Sequence, residues 1–123
     1  MERDESMTTT ICIKNLRLRT IIGIREFERS NKQDVIINAT IEVDTARAAE
    51  TDNIDDAYNY RTITKKIIDF VEQSNYFLLE KLAAKILEMI LAEPRALAAE
   101  VEIDKPTALR FADSVSVKLS SNK

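Results

Sequence analysis

A chain of 123 residues is one domain with room for a single core. Its composition, 45% apolar and 32% charged with a formal charge of −3, is that of a soluble globular protein, and it gives no general reason to expect nucleic acid or a membrane as partner. The sequence holds no His, one Gly and one Cys, which excludes Ser-His triads, His-containing metal sites, P-loops, Rossmann fingerprints, thiolate zinc sites and iron–sulfur clusters. No metal and no cofactor are therefore expected, and any chemistry must come from Glu, Asp, Lys, Arg, Tyr, Ser or Thr.

Residues 1–10 are polar and of mixed charge, without the apolar stretch of a signal peptide. They are expected to form a flexible N-terminal tail ahead of a domain covering residues 11–121. The lone Cys12 has no internal partner, which points to a reducing, cytoplasmic setting. Ile11–Ile22 reads as a strand, with Ile11 and Ile13, then Leu16 and Leu18, alternating with polar residues. Gly23 interrupts it where the backbone must turn or let another group come close. Residues 24–34 form a charged connection without periodicity. Val35–Val43 is the clearest strand, with Val35, Ile37, Ala39, Ile41 and Val43 on one face.

Residues 51–56 are rich in capping residues, and a helix follows in which Ile63, Ile67, Phe70 and Val71 share a face, with Asn59 as a candidate N-cap. Residues 74–77 break that pattern. A second helix runs from Glu80 to about Glu93, stopped by Pro94. Leu97–Lys105 alternates again, with Leu97, Ala99, Val101 and Ile103 inward, and Val115, Val117 and Leu119 mark the last strand.

The order β-β-α-α-β-β predicts an α+β fold, a four-stranded antiparallel sheet with two helices on one face. Such a sheet has two free edges. Val35–Val43 and Val115–Leu119 carry few of the charges or bulges that block edge pairing, so subunits are expected to join sheet to sheet and close into a ring.

In Tyr76–Ala84 a carboxylate, Glu80, opens a helix whose apolar face repeats at Leu79, Leu82, Ala83, Ile86, Leu87, Ile90 and Leu91. Backbone N–H groups and the helix dipole favour an anion there. Beside an apolar wall such a carboxylate can hold a flat ligand by a forked pair of hydrogen bonds; it can equally be an acidic residue decorating a helix start.

Five stretches carry a family likeness: Lys14–Thr20, Asn59–Thr62, Leu78–Leu82, Glu100–Lys105, and Ala108–Arg110 with Ala112–Ser116. With them the chain resembles, from about Ile11 to Leu119, the family of dihydroneopterin aldolases and dihydroneopterin triphosphate 2′-epimerases, small proteins of the tunnelling fold (T-fold). The first and last of these stretches place the likeness in the epimerase branch. The resemblance implies that Glu80 anchors the pterin by accepting from its 2-amino and ring N–H groups. It implies that Glu28, at the end of the hairpin connection, lies beside the reacting side chain, that Tyr60 transfers protons, and that Lys105 sits near a pterin ring nitrogen. In the family the Tyr and the anchoring Glu come from neighbouring subunits, so a homo-octamer of two tetrameric rings is expected, each ring a barrel. Taken singly, Glu28 and Lys105 also read as solvated charges and Tyr60 as a half-buried aromatic, with Tyr58 a rival for its role.

A retro-aldol reaction on a reduced pterin fits the absence of His, metal and thiol, because the ring imine accepts the electrons. The implied activity is inversion of C2′ in 7,8-dihydroneopterin triphosphate to give the monapterin epimer. The alternatives are an aldolase that releases 6-hydroxymethyl-7,8-dihydropterin and glycolaldehyde, and a non-catalytic pterin-binding ring. Arg17, Arg19, Arg25, Lys32, Arg61 and Arg110 are candidates for holding the triphosphate. The expected substrate-binding set is Glu80, Leu79, Asn59, Arg110 and Lys32, and the expected catalytic set is Lys105, Tyr60 and Glu28.

Overall fold

The inward residues of the clearest predicted strand, Val35, Ile37, Ala39, Ile41 and Val43, are all buried at the centre of one sheet. The structure, a computed structural model, describes residues 7–123. In chain order it comprises β1 (Thr8–Thr20), α1 (Glu26–Ser30), β2 (Gln33–Asp44), α2 (Ala46–Thr51), a 3-10 turn (Ile54–Asp56), α3 (Tyr60–Glu72), α4 (Leu79–Leu91), β3 (Ala96–Lys105) and β4 (Val115–Asn122). The strands form a single antiparallel sheet in the order β1-β2-β3-β4. α3 packs against β1 and α4 against β3 and β4, and Ile63, Ile67, Val71, Leu82, Ala83, Ile86 and Ile90 close the core over the sheet. This is the expected α+β arrangement of four strands and two covering helices. No helix among the described residues is long and apolar enough to cross a membrane.

Two bulges explain how the side chains are sorted. Between Ile13 and Leu16 the register with β2 shifts: Ile13 faces Ala39 and Leu16 faces Ile37, so β1 carries one extra residue. Asn15 takes it up in a left-handed conformation (φ 55°), which Asn tolerates better than most residues, and its N–H donates to the Asn38 side chain at 2.8 Å. The change of phase between Ile11/Ile13 and Leu16/Leu18 is therefore a bulge inside one continuous strand. A second shift lies where Glu42 faces Ala98 and Val43 faces Ala96. Leu97 is the extra residue and turns outward, contrary to the alternation, while Ala96 takes the buried position.

Other boundaries also differ from expectation. β1 begins at Thr8, within the predicted tail, because residues 8–10 pair with residues 44–42 and the Thr10 hydroxyl donates to Glu42 at 2.6 Å. Residues 1–6 of that tail lie outside the described residues. α4 ends at Leu91, where Glu93 turns back to accept from the Arg95 N–H at 2.8 Å. The strand expected to offer an edge, Val35–Val43, is interior; the edges are β1 and β4. The short α1 and α2 were not foreseen, since five or six residues are too few to show a helical period.

The two long helices run antiparallel, which fixes the ends of the molecule. Near the start of α3 the Tyr58 hydroxyl donates to the Ile90 carbonyl at 3.2 Å, close to the end of α4. At the opposite end the Gly23 N–H donates to the Tyr76 carbonyl in the α3–α4 connection at 3.3 Å.

Candidate active site

β3 alternates so that Val101, Ile103 and Lys105 face the helices, which carries a lysine to the last inward position of the strand. A lysine rarely accepts burial without a partner. Its partner is Glu28 on α1: Lys105 Nζ donates to Glu28 Oε2, and only 10% and 12% of the two side chains is exposed. Glu28 Oε1 accepts from the Arg25 backbone N–H at 3.1 Å. The Lys105 hydrogen bond holds the Glu28 carboxyl below its ordinary 4.5, against the opposing effect of burial. The pair is a carboxylate and an ammonium kept dry and fixed at one end of the sheet.

Gly23 makes room for it. This residue is buried at φ 125°, a conformation L side chains rarely adopt, and a Cβ built there would fall on the Glu28 carboxylate. Both sequence readings of Gly23, a turn and a close approach, hold at the same atom. Gly23→Ala is expected to cost about 1–3 kcal/mol of backbone strain and to push Glu28 off Lys105. Activity should fall further than thermal stability does, and a variant with wild-type kcat would contradict this geometry.

Glu80 lies in the first turn of α4, exposed, behind the exposed Phe77 and Leu78 and beside the half-buried Leu79. α4 and β3 are joined by a tight turn and run antiparallel, so Glu80 and Lys105 lie at the same end of the layer pair. Arg110 is exposed in the β3–β4 connection at that end, its guanidinium 5.4 Å from the Phe111 ring centroid. Lys32 is exposed just before β2, and its carbonyl accepts from Arg19 at 2.9 Å. Of the other cations considered for phosphate, Arg19 and Arg17 pair with Asp34 at 2.7 and 3.6 Å. Arg25 is exposed at the start of α1.

Tyr60 and Asn59 are elsewhere. The Asn59 side chain caps α3, accepting from the N–H groups of Arg61 and Thr62 at 3.1 Å, and leaves Tyr60 exposed as the first helical residue, with Arg61 next to it. The 13 residues of α3 put that end about 20 Å from the Glu28–Lys105 end, at 1.5 Å per residue. One chain thus brings Glu28, Lys105, Leu79, Glu80, Lys32 and Arg110 to one end and Asn59 and Tyr60 to the other. A cavity of 520 Å³ opens at the Tyr60 end among Asn59, Thr62, Lys66, Glu93 and Arg95, and none of Glu28, Glu80 or Lys105 lines it. Tyr58, unlike Tyr60, is buried: it donates to Ile90, and burial, reinforced by the Glu93 carboxylate, pushes its phenol up to about 12.

Sequence reasoning passed over Arg29, which follows Glu28 and donates to three backbone carbonyls across the α1 and α3–α4 segments. No local pattern announces it, because two of its partners lie more than forty residues away.

A family model described as FolB, dihydroneopterin aldolase, matches residues 11–120. The dihydroneopterin triphosphate 2′-epimerase of Pseudomonas aeruginosa is 50% identical over 123 residues, covering the whole of both chains. The protein of the same name from Escherichia coli K12 is 53% identical over 110 residues, 89% of this chain and 92% of the relative. Among solved structures, Escherichia coli dihydroneopterin aldolase in complex with neopterin superposes with a TM-score of 0.86 at 24% identity, covering 93% of this chain and 99% of that one, a likeness of fold.

Proposed function

Since the chain belongs to the dihydroneopterin aldolase family, we propose that it inverts C2′ of 7,8-dihydroneopterin triphosphate to give 7,8-dihydromonapterin triphosphate. The observation that carries a catalytic reading, against a pterin-holding scaffold, is the buried Glu28–Lys105 pair. A merely binding ring gains nothing from a desolvated ammonium that apolar residues could replace.

The reaction is a reversible retro-aldol. A base, reached through water or Lys105, takes the proton of the 2′-hydroxyl, and the oxygen electrons form the aldehyde carbonyl as C1′–C2′ breaks. The bond pair moves to C1′ and into the ring imine, whose nitrogen takes a proton from Lys105, leaving an enamine and a glycolaldehyde fragment that keeps the phosphates. Re-addition of C1′ to the other face of the aldehyde returns the ring proton and inverts C2′. Glu80 holds the pterin by its 2-amino and ring N–H donors, with Leu79 along the ring and Asn59 positioning the Tyr60 end. Lys32 and Arg110, exposed at the Glu80 end as Arg25 is, hold the phosphates.

Because Tyr60 lies a helix length from Lys105, a site that uses both needs a second chain. This supports a homo-oligomer with sites between subunits, closed as paired tetrameric rings through the β1 and β4 edges. The exposed, unpaired thiol of Cys12 suits a cytoplasmic setting.

The family description favours a second reading, the aldolase, in which the aldehyde leaves and Tyr60 protonates C1′ to give 6-hydroxymethyl-7,8-dihydropterin. Supplying dihydroneopterin triphosphate and dihydroneopterin separately, with chiral separation of the oxidised products, distinguishes them. Monapterin from the triphosphate is the expected result. Chiefly 6-hydroxymethylpterin from the free alcohol would make the chain an aldolase, and no turnover of either would leave the scaffold.

A further inference from the structure

We infer that Arg29 is a positioning residue that sets the spacing between the pterin anchor and the reacting pair, an inference that rests on the pterin reading above. Its guanidinium donates to the Gly23 carbonyl at 3.0 Å, the Tyr76 carbonyl at 3.1 Å and the Asn75 carbonyl at 2.6 Å, and it lies 4.1 Å from the centroid of the Phe77 ring. The first carbonyl belongs to the turn that accommodates the Glu28 carboxylate; the other two belong to the connection that leads into α4 and Glu80. These segments share one backbone hydrogen bond, Gly23 N–H to Tyr76 carbonyl at 3.3 Å. The fork of Arg29 adds three donors to that link and covers its outer side by stacking on Phe77.

Neither segment is anchored in the core by its own apolar residues. α1 has five residues and buries no apolar side chain, its Glu28 being held by Lys105 from β3, and Leu78 at the α4 N-cap supplies no side-chain cap. A planar cation with donors in several directions meets these carbonyls together, whereas an ammonium on a flexible stem cannot hold the same three with one geometry. A shift between the two segments would leave the pterin bound at Glu80 but move its side chain relative to Glu28 and Lys105. A misplacement of about 1 Å costs on the order of 100-fold in rate. It would also loosen the grip on the aldehyde fragment, and a fragment that escapes yields 6-hydroxymethyl product instead of epimer.

The test compares Arg29→Met and Arg29→Lys with the wild-type oligomer, measuring neopterin affinity by fluorescence, kcat on dihydroneopterin triphosphate, and the ratio of 6-hydroxymethyl product to epimer. Both variants are expected to hold neopterin within about threefold of wild type, to lose about 10- to 100-fold in kcat, and to shift the ratio toward the 6-hydroxymethyl product. A lower melting temperature with kcat and product ratio unchanged per folded site would overturn the inference, leaving Arg29 a stabilising contact only. Recovery by Arg29→Lys would likewise overturn the three-carbonyl clamp, since charge alone would then suffice. Wild-type protein that turns over neither pterin refutes the function itself, a failure visible without any variant.

Discussion

Replacing Lys105 by Met is expected to lower kcat by about two to four orders of magnitude, whichever of the two pterin products is followed. Methionine keeps the length and apolar stem of the lysine and removes the only side-chain cation hydrogen-bonded to Glu28 among the described residues. In the proposed reaction the ring nitrogen then has no positioned donor when the C1′–C2′ bond breaks. Stability changes with a sign that can be checked. In the wild type the Glu28 carboxyl is held below 4.5 by Lys105, so the pair stabilises the fold above pH 4.5 and the contribution is lost as pH falls through the lowered value. In Lys105→Met burial acts on Glu28 without that compensation and its pKa rises. The variant should be less stable than wild type by about 1–3 kcal/mol near neutrality, and the gap should narrow in acid. Denaturant titrations at several pH values, paired with steady-state rates, separate the two effects. A rate within tenfold of wild type would remove Lys105 from the chemistry.

The second large effect is on binding. Glu80→Gln preserves shape and one acceptor oxygen, but it turns an N–H₂ group toward a pterin edge that itself presents donors. Each hydrogen bond to a charged group is worth about 1.5–3 kcal/mol; one arm of the fork is lost, the other loses its charge and a donor is set against a donor, which together should take pterin affinity below what titration can measure. The fold should barely respond, since Glu80 is exposed and a helix-start carboxylate contributes only about 0.3–1 kcal/mol. Fluorescence titration with neopterin provides the check, and affinity within a few-fold of wild type would sink the anchor.

The parts of the fold that could be read from sequence are those whose stabilisation repeats along the chain. β2 alternates through five buried positions, α3 and α4 bury a face at helical spacing, and Asn59 caps where a capping residue precedes a periodic run. Gly23 was legible because it is the chain's only glycine. Features decided by a distant partner were not. Leu97 turns outward because the bulge opposite Val43 breaks the alternation, and β2 lies inside the sheet because β1 covers the side that β3 leaves open. At the candidate site, Glu80 stood out as a carboxylate opening an apolar helix face, whereas Glu28 and Lys105 came to notice through family resemblance, and the contact between those two spans 77 residues that no local pattern connects. Arg29 escaped for the same reason. Its partners are carbonyl oxygens, which every residue has.

The placing of Tyr60 and Lys105 at opposite ends of the helix layer has a consequence for inheritance. If each site is assembled from two chains, a copy of the gene damaged at the lysine end still encodes a sound tyrosine end, and a copy damaged at the tyrosine end still encodes a sound lysine end. Mixed assemblies of the two would contain some sites made only of sound halves. Such lesions complement one another, whereas two lesions at the same end, or in the buried residues of β2, do not.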